Sequence, residues 1–233
     1  MLLSRRPALP GVVFCTIVNL YPAALVRSIM HRHSPDLRDG TLVVRQGQAT
    51  DAPAILAFFQ ANRTAFGPVE PRRPDNFYTL ESCHMRLAMH RNQLEEGRSA
   101  CLFVFDADNR TVIGTVNFTN ISGYPHYGAT LGYSLAQSEW GKGRMVRALR
   151  LALDWLFDDF NLHRVAANHL PDNERSARVL AKLGFKQEGY APDYLLIDGI
   201  WRDHVLTALT HTDWQARDLH APLIVDGTGT RQK

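Results

Sequence analysis

A pair of glycines set between a strand-like run and a helix-like run limits the possible folds of this chain more than any other feature. Tyr127 to Leu135 alternates apolar with small or polar residues, the pattern of a half-buried strand. Further on, Met145, Ala148, Leu149, Ala152, Leu153, Leu156 and Phe157 recur at helical spacing. Between the two lies Trp140-Gly141-Lys142-Gly143-Arg144-Met145. Glycine lets the backbone turn sharply and approach a ligand, and the first N–H groups of the following helix have no partner inside it. With the positive end of the helix dipole behind them, those amides form a cradle for phosphate. Two common phosphate-binding patterns are excluded. No Gly-Lys-Ser/Thr ends the turn, and Val146 stands where the third glycine of the dinucleotide fingerprint would fall.

A second motif follows at a fitting distance: Pro171-Asp172-Asn173-Glu174-Arg175-Ser176, then Lys182-Leu183-Gly184-Phe185 and Glu188-Gly189. Asn173 and Ser176 are three apart and so share one face of a helix. Asp172 or Asn173 is also suited to cap that helix. A third run, Tyr194-Leu195-Leu196-Ile197-Asp198-Gly199, continues through Trp201-Arg202-Asp203-His204 to Leu209. Together the first two motifs resemble the GNAT N-acetyltransferase superfamily, whose pyrophosphate loop reads Gln/Arg-x-x-Gly-x-Gly/Ala. In this chain that loop is Trp140-x-x-Gly143-x-Met145. The third run is similar to the RimJ-type ribosomal-protein-alanine N-acetyltransferases, and the resemblance spans about residues 41–214.

The resemblance implies an α+β fold, a twisted mixed sheet flanked by helices. Its fourth and fifth strands, Tyr127–Leu135 and Arg164–Asn168, splay apart to admit pantetheine. It implies acetyl-CoA as co-substrate and no metal. The pyrophosphate would lie on the backbone N–H groups of Gly141, Gly143 and Met145, with Lys142 and Arg144 as nearby cations. Exposed N–H groups from Leu135 to Gln137 would bind pantetheine and polarise the thioester carbonyl, and Asn173 would contact the cofactor. Many members carry a tyrosine acid four residues before the Gly-Phe pair, but here that position is Leu180. Ser176, one turn earlier on the same face, is then the expected acid, with Tyr194 as the other candidate. Glu70 matches a glutamate near the amine entrance and is the expected base, ahead of His169 and Asp203. Trp140 replaces the polar Gln/Arg of the loop, and Glu139 stands where a neighbouring aromatic is usual.

The expected reaction is acetyl transfer to the N-terminal alanine amine of a ribosomal protein, by direct attack in a ternary complex. An α-amine titrates near pH 8, so about a tenth is neutral at pH 7 and weak base catalysis suffices. Two alternatives stand beside it: a small amine such as an aminoglycoside or polyamine as acceptor, or a weakly active ribosome-assembly or regulatory module.

The coarse element order is βααβββαβαββ. Thr41–Gln46 is a strand, and Thr50 offers a cap for a helix through Arg63. The proline-rich stretch 67–74 is a rigid loop, and a helix covers Leu80 to Glu95. Ser99–Phe105 and Thr111–Thr119 form a hairpin about residues 107–110. After Arg164–Asn168 come a helix over Asn173–Leu183 and strands over Ala191–Ile197 and Trp201–Leu209. Residues 1–38 carry five Arg against one Asp, net +4, whereas the remainder carries 21 Lys+Arg against 22 Asp+Glu, net −1. The basic balance thus sits in a leader, which could meet the small ribosomal subunit. Met30 is the preferred initiator, and 215–233 reads as a tail to the domain at 39–214. Prolines and Asn19 interrupt the apolar run near the start, so no membrane span is expected. Cys15, Cys83 and Cys101 show no metal spacing and fit a reduced, cytoplasmic setting.

Overall fold

The structure, a computed structural model, describes residues Ser34–Asp213. The expectations for the basic leader, for Met30 and for the tail lie outside the described residues, except at 34–38. There Asp36–Arg38 forms a short strand, β1, rather than the end of a leader, and pairs antiparallel with residues 43–45. Three polar-flanked residues carry too little alternation to be read as a strand, and only the neighbouring strand holds them in place.

The chain then runs through β2 (Leu42–Gln46), α1 (Ala52–Ala61), α2 (Arg63–Phe66), α3 (Leu80–Glu95), β3 (Ala100–Asp106), β4 (Val112–Ser122) and β5 (Gly128–Leu135). It continues with α4 (Arg144–Phe160), β6 (Arg164–His169), α5 (Glu174–Lys182), β7 (Lys186–Ile197) and β8 (Ile200–Thr210). Among the described residues the eight strands form one mixed sheet in the order β1-β2-β3-β4-β5-β6-β8-β7. Helix α1 begins later than Thr50. The Asp51 carboxylate accepts from the Gln48 N–H at 2.7 Å and pairs with Arg45 at 2.6 Å, which holds 49–51 in a tight turn ahead of the helix. Strand β7 begins five residues earlier than expected. Its outer-edge residues are mostly exposed and bulged between Ala191 and Leu195, so they lack the alternation that marks a half-buried strand.

Strands β2, β3 and the first half of β4 are buried on both faces. One face, with Val44, Leu102, Val104, Val116 and Phe118, packs under α4, which buries all seven residues picked out by helical spacing. The other face, with Val43, Phe103 and Phe105, packs on Ile55 and Phe58 of α1 and Leu87 of α3. Helix α4 stops at Asn161 in the left-handed conformation, φ +49°, which α-helices often use to terminate.

The feature that positions the site is the junction of β5 with β6, which run parallel. They pair only from Gly128 to Thr130 against Arg164 to Ala166. Beyond Thr130 the strands part, while β6 stays paired with β8 as far as His169. The expected splay of these two strands is thus present, and it opens a seam through the sheet.

Candidate active site

The seam broadens into a cleft of about 840 Å³ bounded by β5, β6, the 140–146 turn, the start of α5 and the loop after α2. Strand alternation sorts its side chains. Leu131, Tyr133 and Leu135 face α4, whereas Thr130, Gly132 and Ser134 face the α1 side. Backbone groups are sorted in the same way. Ala136 N–H donates to Ile113 O at 2.8 Å, so alternation turns the N–H groups of Leu135 and Tyr133 away from β4 and toward the seam. Of the donors expected between Leu135 and Gln137, Leu135 therefore faces the cleft. The Gln137 N–H is engaged by Asn62 Oδ1 at 3.0 Å.

The glycine turn has the geometry its sequence called for. Gly141 and Gly143 sit at φ +78° and +73°, and a Cβ on either would meet no protein atom within 4 Å. Gly143 caps α4 without any side-chain acceptor for the first amides, Met145 among them. Lys142 and Arg144, expected as nearby cations, are both paired with carboxylates. Lys142 Nζ lies 3.0 Å from Glu139, and Arg144 lies 2.9 Å from Glu139 and 2.8 Å from Asp106. The Trp140 indole N–H donates to Leu135 O at 2.9 Å, which fixes the ring at the cleft wall.

On the α4 side of β5, Asn173 caps α5 by accepting the Ser176 N–H at 3.1 Å. The Ser176 hydroxyl lies 2.7 Å from the Tyr133 hydroxyl, and Tyr133 is also 3.3 Å from the Ser176 carbonyl oxygen. Burial pushes the Tyr133 phenol up to about 12, opposed by its hydrogen bond to Ser176. Tyr133 therefore keeps its proton throughout the physiological range.

On the α1 side, Glu70 is clamped from both ends. The Ser134 hydroxyl donates to one carboxylate oxygen and the Arg73 guanidinium to the other. Arg73 in turn lies 4.9 Å from each of the Phe59 and Phe77 rings, so the clamp is anchored in the apolar packing of that face. Tyr194 and Ser176 both line the cleft. The Tyr194 hydroxyl accepts from Asn168 Nδ2 at 3.1 Å, and Asn168 projects to the face opposite buried Val165 and Ala167, the Ser134 side. His169 is buried with Nδ1 against Leu170 O at 2.8 Å, and Asp203 accepts from the Tyr190 hydroxyl and the Asp193 N–H. Among the described residues no group of three or more His, Cys, Asp or Glu is placed to hold a metal ion.

Residues 41–186 match the acetyltransferase (GNAT) domain model. The chain belongs to the GNAT acetyltransferase family. It is 42% identical over 173 residues to the [ribosomal protein uS5]-alanine N-acetyltransferase of Escherichia coli strain K12, covering 74% of this chain and 89% of that protein. Among solved structures it resembles a ribosomal-protein-S5-alanine acetyltransferase from Vibrio fischeri, with 38% identity and a TM-score of 0.74. That match covers 79% of this chain and all of the other. It also resembles Mycobacterium smegmatis RimJ in complex with CoA-disulfide, with 29% identity, a TM-score of 0.70 and 76% of this chain against 86% of the other. This GNAT chain carries two features that its motifs did not announce. Tyr133 and Ser176 are 43 residues apart in sequence, as far as any alternation pattern can see unrelated, and Ser134 meets Glu70 across 64.

Proposed function

We propose that the chain transfers acetyl from acetyl-CoA to the α-amine of an N-terminal alanine on a ribosomal protein, in the cytoplasm. The observation that carries the reading is the placement of a clamped carboxylate and a hydroxyl pair on opposite faces of β5, at the open seam. The E. coli and V. fischeri relatives, by name, act on alanine of a ribosomal protein. The M. smegmatis relative is described with a CoA disulfide. Those relationships support the proposed acceptor and donor. The turn fits a pyrophosphate, because its glycines have left-handed φ, leave open space where a Cβ would be, and precede uncapped helix amides.

Acetyl-CoA supplies an activated thioester carbonyl and a sulfur leaving group. The chain's own residues do the rest. Amides of Gly141, Gly143 and Met145 hold the phosphates, and Asn173, with its Oδ1 spent on the helix cap, offers its Nδ2 to the cofactor. The Leu135 N–H, turned to the seam, donates toward the carbonyl oxygen and favours the charge that develops there. Glu70 meets the incoming amine from the α1 side and takes its proton, directly or through water. Ser176, backed by Tyr133, holds a proton on the α4 side, where a departing thiolate would need it. The amine adds to the thioester carbonyl as Glu70 takes its proton, and the tetrahedral intermediate expels the thiolate, which Ser176 protonates, so direct attack needs no covalent enzyme intermediate.

The test is calorimetric titration with acetyl-CoA followed by mass spectrometry of N-terminal peptides. Binding with one acetyl gained by an alanine-starting peptide is the expected result. Binding with transfer only to a polyamine would replace the acceptor, and absence of binding would overturn the reading.

A further inference from the structure

The phosphate-facing turn has two cations, and both are already paired with carboxylates. Lys142 and Arg144 both pair with Glu139, whose side chain is only 14% exposed, and Arg144 also pairs with Asp106. This group of two cations and two carboxylates is close to neutral, so an arriving diphosphate meets backbone amides but no net positive charge from the turn. Arg175 differs. Its guanidinium carbon lies 3.8 Å above the centre of the Trp140 ring. Among the described residues it has no carboxylate partner, because each acid beside it is engaged by another arginine. Glu174 pairs with Arg178 at 2.9 Å, and Asp172 with Arg202 at 3.1 Å. The platform beneath it is fixed, since the Trp140 indole is tied to Leu135 O. Stacking occupies one face of a guanidinium and leaves its edge N–H groups open to an anion. Arg175, Trp140, Gly141 and Gly143 line one cleft.

We infer that Arg175, held flat by Trp140, supplies the cationic contact to the pyrophosphate of the acyl donor. This rests on the acetyl-CoA reading above. Trp140 then does not leave the turn without a polar contact. It is a positioning residue that transfers that contact to the start of α5, on the other side of the seam.

The experiment is calorimetric binding of CoA and of 3′-dephospho-CoA to the full chain, over a range of salt, for wild type and variants. Arg175→Ala is expected to weaken both ligands equally, by about tenfold to a hundredfold, the range of a hydrogen bond to a charged group. Its salt dependence should be flatter than that of wild type, and Arg175→Lys should recover part of the loss. Trp140→Phe, which keeps a ring but loses the tie to Leu135 O, should bind between wild type and Trp140→Leu, and Trp140→Leu should weaken binding and add nothing to Arg175→Ala. Should Trp140→Leu fail to fold, the Arg175 pair and its salt dependence decide the matter alone. Unchanged affinity in Arg175→Ala would overturn the inference. So would a loss seen with CoA but not with dephospho-CoA, which would move the contact to the 3′-phosphate. Losses at Trp140 and Arg175 that multiply would also overturn it. Failure of wild type to bind either ligand is a separate result, which removes the acetyl-CoA reading and this inference together.

Discussion

Replacing Tyr133 with Phe removes one hydroxyl and changes nothing else in the cleft. That hydroxyl lies 2.7 Å from Ser176 Oγ in a mostly buried position. A hydrogen bond of this kind contributes a net ~0.5–1.5 kcal/mol. If the full amount is felt only as the sulfur departs, kcat falls by about twofold to tenfold. Loss of the acid itself costs more, about a hundredfold or above. The expected order is therefore wild type, then Tyr133→Phe, then Ser176→Ala, with little change in acetyl-CoA affinity for either variant. Because Tyr133 is argued to act through Ser176, the double variant should match Ser176→Ala. The assay is steady-state kcat and KM with an alanine-starting peptide, with a thermal melt to confirm folding. A Tyr133→Phe loss that persists at full size in the Ser176→Ala background would refute the coupling. An unchanged kcat in Ser176→Ala would remove Ser176 from the mechanism altogether.

The remaining expectations concern the clamp, the turn, the core and alkaline stability. Glu70→Gln should lower kcat about tenfold or more at pH 7, with a smaller loss at a pH where the substrate amine is already neutral; a pH-independent deficit would make Glu70 a binding group only. Gly143→Ala places a side chain at φ +73°, costing about 1–2 kcal/mol of strain, and should weaken acetyl-CoA binding, read by calorimetry. Leu149→Ala should cost about 2–5 kcal/mol by denaturant titration, since Leu149 is fully buried under the sheet. The raised Tyr133 phenol contributes stability that is complete below pH 10, its unfolded value, and is lost as pH rises through about 12. Tyr133→Phe should therefore unfold less steeply over that window than wild type.

What sequence could carry here depended on how far apart in the chain the relevant groups lie. Helix α4 and the turn before it were readable because the seven buried positions and both glycines fall within one contiguous stretch. The Asn173 cap was readable for the same reason, since cap and recipient amide are three residues apart. Tyr133 looked like an ordinary inward residue of an alternating strand, and only the folded sheet brings it to Ser176. Glu70 was placed by motif alone, and its clamp could not be foreseen because Ser134 and Arg73 reach it from different segments. Lys142 and Arg144 were expected as cations near the pyrophosphate, and their pairing with Glu139, three residues before one and five before the other, becomes visible only in the folded turn. Tyr194 was grouped with Ser176 as a possible acid. Its hydroxyl partner, Asn168, lies 26 residues away, which no spacing pattern in the sequence could pair with it.

The three-residue junction between β5 and β6 has a thermodynamic corollary. An ordinary pair of strands would be sewn together along their length by main-chain hydrogen bonds, and here most of those stitches are missing on purpose of the gap. On the proposed reading, a ligand in that gap, hydrogen-bonded to β5 amides and to the start of α5, would bridge the two halves of the sheet where main-chain bonds do not. Folding and loading are then linked. At a free ligand concentration of about a hundred times Kd, the folded state should gain about 2.7 kcal/mol. The melting temperature of the enzyme would thus report, without any turnover, how much acyl donor surrounds it.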